Sequence, residues 1–252
     1  MSNLIAGEKI VKSFNIGKEQ TTILDQVSVE IEREEFVVIM GPSGCGKTTL
    51  LFSLSGTDDI TSGSIKFDGQ EISGLKENQL ADMRRQKFGF IFQQPTMLKN
   101  LSILDNIILP VVTDNRKNLA DVTKKAEQLM KKTGISGLGD REITKVSGGQ
   151  LQRAGICRAL MSSPAILFAD EPTGALNSKS ADEIMLLLEA INQEGTAILL
   201  VTHDAKVAAR ADRVLFMKDG KILSELAFTE KGAKSFEDRT GEVLEQMAII
   251  GV

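Results

Sequence analysis

The chain has 252 residues, of which 42% are hydrophobic and 25% are charged, as in an ordinary globular protein with a buried core. Its 30 Lys and Arg against 34 Asp and Glu give a net charge of -4, which argues against DNA or RNA as a partner. Two cysteines and a single histidine exclude a disulfide framework and a structural zinc site, and they fit a reducing cytosol.

Short β-type runs alternate with longer helical stretches along the chain. The amino terminus carries no apolar signal core, and no apolar run approaches the roughly 20 residues that cross a bilayer, so we expect neither secretion nor a transmembrane helix. Residues Val27 to Ile31 alternate with a period of two, which predicts a half-buried strand. Continuous apolar runs predict fully buried strands at residues 36–40, 165–169 and 197–201. Hairpin turns are predicted at Asp68-Gly69 and Asp219-Gly220.

Apolar side chains at helical spacing predict two amphipathic helices. They are Ile184, Leu187, Leu188 and Ile191 in one helix, and Leu119, Val122, Ala126 and Leu129 in another that ends before Gly134. The stretch from about residue 94 to 160 has long helical patterns and no clear strand, which predicts a helical subdomain inserted into an α/β core. We therefore expect one domain with a core of about 1–93 and 161–226, a helical subdomain of about 94–160 and a loosely helical tail of about 227–252.

One glycine-rich segment predicts a phosphate-binding loop. Its residues are Gly41, Pro42, Ser43, Gly44, Cys45, Gly46, Lys47 and Thr48, and they fit the pattern G-x-x-x-x-G-K-[ST] between a predicted strand and an apolar helical run. The glycines let several backbone N–H groups face one anion at the start of the helix. We expect Lys47 to reach the β- and γ-phosphates and to stabilise the transferred phosphoryl group, while the Thr48 hydroxyl coordinates Mg²⁺. The next residue, Thr49, is assigned to the same nucleotide site.

Two acidic residues follow the apolar strand that ends at residue 169. Asp170 is predicted to meet Mg²⁺ through its water shell, and Glu171 could polarise an attacking water molecule. Taken alone, the pair could also be two solvated acids at a strand end.

A second anion-binding pattern begins 23 residues before Asp170. It consists of Ser147, Gly148, Gly149 and Gln150 at the start of a helix predicted over about 150–162. One chain does not obviously need two phosphate-binding elements. Two chains do, if the loop of each is completed by the Ser-Gly-Gly turn of the other.

With these motifs the chain resembles the nucleotide-binding subunits of ABC transporters, over about residues 4 to 226. The resemblance implies an α/β fold: a P-loop NTPase core with a RecA-like parallel sheet, an antiparallel β-subdomain and the inserted helical subdomain. It implies ATP and Mg²⁺ as ligands. It also implies a homodimer, in which the turn that starts at Ser147 closes over the γ-phosphate held by the other copy, and in which Asp170 and Glu171 form the acidic pair of the site.

Further positions match the family's motifs in the expected order. Gln93 matches the glutamine that contacts Mg²⁺ and the attacking water, and Gly174 to Asn177 match the D-loop. His203 matches the histidine that contacts the γ-phosphate, and Phe14, which lies 27 residues before Gly41, matches the aromatic residue that stacks on adenine. Each has an ordinary structural explanation when taken alone; their joint order and spacing carry the resemblance.

Three positions depart from the family pattern. Val146 replaces the commoner leucine before Ser147, with a similar shape. Phe14 replaces tyrosine, which keeps stacking without the hydroxyl. Asn177 replaces the usual aspartate and loses its charge, which puts in doubt how tightly hydrolysis is coupled between the two sites.

A membrane permease on a separate chain is the partner that the resemblance implies. The chain would then lie in the cytoplasm, peripherally on the inner face of the membrane. We expect the docking surface around Gln93 to Pro110, with Met97 and Leu98 exposed, although each of these side chains could equally pack in the helical subdomain.

The prediction of a subclass within the ABC family depends on short local sequence matches. Three segments resemble the macrolide-exporter, lipoprotein-release and cell-division branch of the ABC family: Phe90 to Gln93, Ala169 to Leu176, and the stretch LKENQLADMRRQKFGF. Asn106 to Pro110, Ser178 to Ala181 and the last residues resemble transporters of antimicrobial-peptide resistance. An ATP-switched scaffold with a division-type membrane partner, and mechanical work of the lipoprotein-release or macrolide type, are alternatives. ABC-type ATPases that act on DNA or ribosomes carry tandem cassettes, zinc modules or coiled-coil insertions, none of which the sequence contains.

Overall fold

The computed structural model describes residues 3–16, 19–112, 118–228 and 234–251. The chain divides into two compact units: the first unit comprises Met1–Leu80 and Gly195–Val252, and the second unit comprises Ala81–Glu194. No helix in the described ranges is long and apolar enough to cross a membrane.

The described strands are β1 (Asn3–Ile16), β2 (Glu19–Glu32), β3 (Phe36–Met40), β4 (Ser62–Phe67), β5 (Gln70–Glu71), β6 (Phe88–Phe92), β7 (Ile166–Asp170), β8 (Ala197–Thr202), β9 (Arg213–Lys218) and β10 (Lys221–Ala227). The described helices are α1 (Lys47–Leu54), α2 (Glu77–Lys87), α3 (Ile103–Val112), α4 (Leu119–Lys132), α5 (Gly148–Leu160), α6 (Ser178–Gln193), α7 (Ala205–Ala208) and α8 (Phe236–Ile250).

An antiparallel sheet in the first unit has the strand order β2-β1-β4-β5. The strand predicted at Val27 to Ile31 lies within β2, and its three apolar side chains are buried, which confirms the alternating pattern. The predicted turn at Asp68-Gly69 joins β4 and β5, and both residues have positive φ, 50° and 78°. A type I′ hairpin turn requires this geometry, which Asp and Gly tolerate better than other residues.

A second sheet of the first unit places β3 between β8 and β9, parallel to both, with β10 antiparallel to β9. The five side chains of β3 and the six of β8 are all buried, because both faces of these strands are covered. Asp219 and Gly220 form the predicted hairpin between β9 and β10, again with positive φ. The predicted strands at 36–40 and 197–201 are therefore confirmed.

The second unit contains the parallel pair β6–β7, most of α2, and the helices α3 to α6. The strand predicted at 165–169 is found one residue later. Helices α4 and α6 contain the two predicted amphipathic patterns. Side chains of α3, α4 and α5 share one apolar cluster around Ile107, Ala126 and Ala154.

The tail predicted over 227–252 contains the helix α8, while residues 229–233 and 252 lie outside the described residues. Ser235 caps α8 in a capping box with Asp238, which satisfies backbone donors at the helix start. At the other end, the Lys218 ammonium donates to the carbonyls of Ile250 and Gly251, both at 3.0 Å. These contacts hold α8 against the first unit.

Candidate active-site residues

The glycine-rich loop lies in the first unit, between β3 and α1. A Cβ on Gly41 would lie 2.1 Å from the Met217 carbonyl oxygen, so only glycine fits there. Gly44 and Gly46 have φ of 81° and 104°, where other residues are strained. These φ values curl the loop. Gly46 is the N-cap of α1 and has no side chain to cap it, so backbone N–H groups at the helix start remain available to a ligand.

Lys47 is buried at the start of α1. Its ammonium donates hydrogen bonds to the carbonyls of Gly41 and Pro42, at 2.8 and 2.9 Å. The charge is thereby held inside the curl of the loop. This is the position from which a lysine can contact the phosphates of a nucleotide, as a compact positive charge next to the positive end of a helix.

The remaining residues of the predicted loop lie around this lysine. Pro42, Ser43 and Gly44 are exposed, Cys45 is buried, and Thr48 and Thr49 are half-buried in the first turn of α1. Burial raises the pKa of the Cys45 thiol, although the charge of Lys47 and hydrogen bonds from backbone groups act in the opposite direction. Cys45 is therefore a neutral packing residue of the loop.

The register between β3 and β8 brings His203 to the edge of the sheet that carries the glycine-rich loop. Met40 pairs with Thr202 in parallel strands, so Gly41 and His203 leave neighbouring strand ends. The next residue, Asp204, caps α7 by accepting from the Lys206 N–H at 2.8 Å. The histidine is exposed between a fully buried strand and this short helix.

Phe14 lies on β1 of the antiparallel sheet and is 41% exposed, which is unusual for a phenylalanine. Its side chain is therefore available for stacking. The Lys12 ammonium lies 4.8 Å from the centroid of its ring.

In the second unit, the parallel strands β6 and β7 end side by side. Phe92 pairs with Asp170, so Gln93 and Glu171 leave these strands at the same edge. A Cβ on Gly174 would lie 2.8 Å from Nε2 of Gln93 and 3.3 Å from Oε2 of Glu171. The structure thus brings the side-chain ends of the predicted glutamine and the predicted acid next to one glycine.

Glu171 has a left-handed backbone, with φ of 44°. For a residue other than glycine this conformation costs about 1–2 kcal/mol. Its carbonyl accepts from the Gly174 N–H at 3.0 Å, in the turn that follows β7. A strained residue between a buried strand and a tight turn indicates that the direction of its side chain matters.

The Ser-Gly-Gly turn begins α5, two residues earlier than predicted. Ser147 is the N-cap: its Oγ accepts from the Gln150 N–H at 3.3 Å, while the Ser147 N–H donates to Oε1 of Gln150 at 2.9 Å. This capping box fixes the start of the helix. Ser147 and Gly148 are exposed, and Gly149 and Gln150 are half-exposed, so a second molecule can reach the turn.

The D-loop residue Asn177 has a local structural role. It is the N-cap of α6, and its Oδ1 accepts from the Ser180 N–H at 2.9 Å. Aspartate could make the same bond, so capping does not require the charge that asparagine lacks.

The segment after Gln93 differs in one respect from the prediction. Leu98 is 48% exposed, as predicted, but the prediction of an exposed Met97 is wrong: Met97 is 9% exposed and belongs to the apolar cluster of the second unit. The buried Asn106 side chain bonds both the N–H and the carbonyl of Leu98, and this fixes which of the two side chains points inward.

Three residues near these motifs were not predicted from the sequence. Gln152, on α5, is buried and bonds the carbonyl of Phe92 at 3.0 Å. Arg158, on the same helix, donates to the Thr96 carbonyl at 2.6 Å. Lys12 is buried beside Phe14. A polar residue on an otherwise apolar helix face was the signal that could have found Gln152.

The predicted Mg²⁺ ligands offer suitable atoms. Thr48, Gln93 and Asp170 supply a hydroxyl, an amide and a carboxylate oxygen, which are the ligands that Mg²⁺ prefers. Among the described residues there is no cluster of three or more His, Cys, Asp or Glu side chains able to hold a metal ion.

Comparisons with known proteins agree with these motifs. A family model described as ABC transporter matches residues 24–174. The bacitracin export ATP-binding protein BceA of Halalkalibacterium halodurans is 39% identical over 250 residues, which cover 98% of this chain and 97% of that protein. The macrolide export ATP-binding/permease protein MacB of Mannheimia succiniciproducens is 41% identical over 223 residues, which cover 88% of this chain and 34% of that protein. The chain thus spans about a third of the length of the macrolide exporters it matches.

Solved structures give the same result. The ATP-binding cassette MJ0796, a dimer in a post-hydrolysis state bound to ADP and Pi, has a TM-score of 0.84 and 34% identity, and the match covers 90% of this chain and 100% of that chain. A second dimeric structure of MJ0796 matches with the same TM-score. The α/β cassette fold predicted from the sequence is thereby confirmed.

Proposed function

The chain belongs to the ABC transporter family, and on this basis we propose that it is the ATP-hydrolysing subunit of an exporter whose membrane permease is a separate chain. The observation that carries the proposal is the match to BceA along nearly the whole of both chains, since that protein is named as the ATP-binding component of bacitracin export. The exported or sensed compounds are accordingly antimicrobial peptides. The chain lies in the cytoplasm, peripherally on the inner face of the membrane.

The reaction is hydrolysis of ATP to ADP and phosphate, within a dimer of this chain that holds two ATP molecules. Phe14 stacks on adenine. The loop from Gly41 to Thr49 holds the phosphates through backbone N–H groups, and Lys47 stabilises the charge that spreads over the transferred phosphoryl group. In this proposal the buried position of Lys47 reduces the reorganisation needed when that charge develops.

Three residues act on the attacking water and the γ-phosphate. Glu171 accepts a hydrogen bond from the attacking water and polarises it, Gln93 contacts the same water, and His203 contacts the γ-phosphate. Thr48, Gln93 and Asp170 would hold Mg²⁺, which would neutralise charge on the phosphate oxygens. The side-chain ends of Gln93 and Glu171 both lie next to Gly174, which supports their joint role.

The second subunit completes each site. The exposed start of α5 in one copy approaches the γ-phosphate held by the other copy. The residues of this turn are Ser147, Gly148, Gly149 and Gln150. Gln93 relays the closure of the dimer to the permease. Docking uses the segment from Gln93 to Pro110, of which the exposed Leu98 is an apolar contact.

Dimerisation and hydrolysis can be tested with the variant Glu171→Gln. This variant should bind ATP and Mg²⁺, fail to hydrolyse it and elute as a dimer in size-exclusion chromatography, while the wild-type protein returns to monomer. Adding Ser147→Ala should weaken the ATP-dependent dimer. Ser235→Ala is the matched control, because Ser235 forms the same capping box at α8, outside the nucleotide motifs. Wild-type hydrolysis by Glu171→Gln, or equal effects of the two serine variants, would contradict the proposal.

The transport class needs a separate test. The protein is reconstituted with its permease in lipid vesicles, and ATP hydrolysis is measured with bacitracin and with erythromycin. Stimulation by bacitracin alone supports peptide export. Stimulation by the macrolide alone favours the macrolide-type function, and no effect of either compound with a permease bound favours a scaffold with ATP as its switch.

A further inference from the structure

Lys12 is a buried lysine in β1, with 8% of its surface exposed. Burial of an ammonium group is costly unless the charge is paired. Here Nζ donates to the Asp58 carboxylate at 2.6 Å and to the Asp59 carbonyl. The ammonium also lies 4.8 Å from the centroid of the Phe14 ring, within the range of a cation–π interaction.

This arrangement leaves Phe14 with two different environments. One part of the ring faces the ammonium, while the side chain as a whole stays 41% exposed. The face of an aromatic ring is electron-rich, so two stacked rings repel each other unless they are offset. A cation near the ring draws electron density toward itself, which reduces this repulsion and favours a purine stacked on the exposed area.

Asp58 connects Lys12 to the helix of the glycine-rich loop. The N–H groups of Thr57 and Asp58 both donate to the carbonyl of Phe52, in the last turns of α1, at 2.9 and 3.1 Å. The segment from Thr57 to Thr61 therefore continues directly from α1 and carries the carboxylate that pairs with Lys12.

The same segment is bonded to the backbone of β1 on either side of Lys12. The Thr61 N–H donates to the carbonyl of Val11 at 2.7 Å, and the Ser13 N–H donates to Oγ1 of Thr61 at 2.9 Å. The strand that carries Phe14 and the segment that follows α1 are thus held together by an ion pair, one hydrogen bond between backbone groups and one from a backbone N–H to a side-chain hydroxyl.

We propose that Lys12 is a positioning residue for base recognition, which fixes the Phe14 ring relative to the phosphate loop and favours purine stacking on its exposed area. The inference rests on the proposed function, in which Phe14 receives adenine. A nucleotide contacts the base platform and the phosphate loop together, so its affinity depends on a fixed distance between them. Lys12 does not touch the nucleotide; it acts through Phe14 and through Asp58.

The competing explanation is that Lys12 and Asp58 form a purely structural ion pair. A positioning role predicts that loss of Lys12 weakens only ligands that carry a base, whereas a structural role predicts no such difference. The test compares binding of ATP and of inorganic tripolyphosphate, each with Mg²⁺, to the full chain by calorimetry. The variant Lys12→Met should raise the Kd of ATP about fivefold, as expected for loss of one cation–π contact. It should leave the Kd of tripolyphosphate unchanged within measurement error.

Two further variants control this result. Lys12→Arg keeps a cation that can pair with Asp58, and it should restore most of the ATP affinity. Arg213→Met removes another largely buried ion pair of the first unit, with Glu35 at 2.7 Å, and it should lower stability without changing the preference for ATP over tripolyphosphate. If Lys12→Met weakens both ligands equally, or neither, the inference is overturned.

The variant Phe14→Leu tests separately whether adenine stacks on Phe14, which is the premise of the role proposed for Lys12. If it lowers the affinity for ATP alone while Lys12→Met does not, the base platform stands and Lys12 has no part in it. If Phe14→Leu affects neither ligand, adenine does not stack on Phe14, and both the inference and that part of the proposed function fail. If Lys12→Met does not fold, Asp58→Asn is used, which removes the charge that holds the Lys12 ammonium in place and should raise the Kd of ATP alone.

Discussion

The side-chain amide of Gln152 donates to the main-chain carbonyl of Phe92 at 3.0 Å, so α5 is bonded to the residue directly before Gln93. Gln152 is 1% exposed, and it lies five residues after Ser147 on the helix that the Ser-Gly-Gly turn begins. Loss of one partner from a hydrogen bond made by a buried side chain costs about 1–3 kcal/mol. The bond is therefore a rigid link between two predicted elements of the ATP site.

Gln152→Met should break this link while filling the same space. We expect a loss of about 1–2 kcal/mol in the free energy of unfolding, and a fall in kcat with little change in the KM for ATP, because Gln93 acts after binding. Denaturant unfolding and steady-state ATP hydrolysis measure the two effects. Thr133→Val is the control: it removes a buried hydroxyl that donates to the Met130 carbonyl in the same unit, so it should lower stability and leave kcat unchanged.

Gly174→Ala should reduce hydrolysis with little effect on stability. The new methyl group would lie 2.8 Å from Nε2 of Gln93 and 3.3 Å from Oε2 of Glu171, and both atoms are the ends of side chains that can move away cheaply. Displacement of two groups that orient water should lower kcat about tenfold or more. Gly74→Ala, where no heavy atom lies within 4 Å of the new Cβ, should leave both quantities unchanged. An unchanged kcat in Gly174→Ala would show that Gln93 and Glu171 are not needed in this arrangement.

Gly241→Ala should stabilise the protein. Gly241 lies inside α8, and no atom would meet a Cβ there within 4 Å. Alanine loses less backbone entropy in a helix, which is worth about 0.5–1 kcal/mol. The gain should appear as a higher midpoint in thermal unfolding, and only if α8 unfolds together with the rest of the first unit. If the midpoint stays the same, α8 melts independently.

The Cys157 thiol should be unreactive in the native protein. Its burial raises its pKa to about 11, despite a contact with Thr133, so only about a thousandth of it is thiolate at pH 8. Iodoacetamide should modify it only after unfolding in guanidinium chloride, as mass spectrometry of the tryptic peptides would show. Because the native pKa lies above the unfolded value of 9.0, its contribution to the free energy of unfolding is complete below pH 9 and is lost as the pH rises toward 11. Rapid labelling of native Cys157 at pH 8 would disprove this.

Regular elements and contiguous motifs could be predicted from the sequence because each carries its own signal. The apolar run at 36–40 became β3, and the pattern around Ile184 became α6. The glycine-rich loop could be predicted because its glycines, lysine and threonine stand at fixed positions, which are set by the need to surround one phosphate group. Element ends were less certain: α5 begins two residues before the predicted start, because the Ser147 capping box extends the helix to Gly148.

The exposure of single side chains could not be predicted in the same way. Met97 and Leu98 are neighbours of similar hydrophobicity, yet Met97 is buried and Leu98 is exposed. The bonds from Asn106 to Leu98 decide this, and Asn106 lies eight residues further along the chain. No local pattern records such a contact.

The sequence alone determined the family, the chemistry of the phosphate loop and the order of the motifs, since these depend on residue types at short, fixed spacings. Only the tertiary structure decided that the side-chain ends of Gln93 and Glu171 lie next to Gly174 and that Lys12 pairs with Asp58. Such contacts join residues far apart in the chain, and they form only when buried polar groups find partners as the core packs.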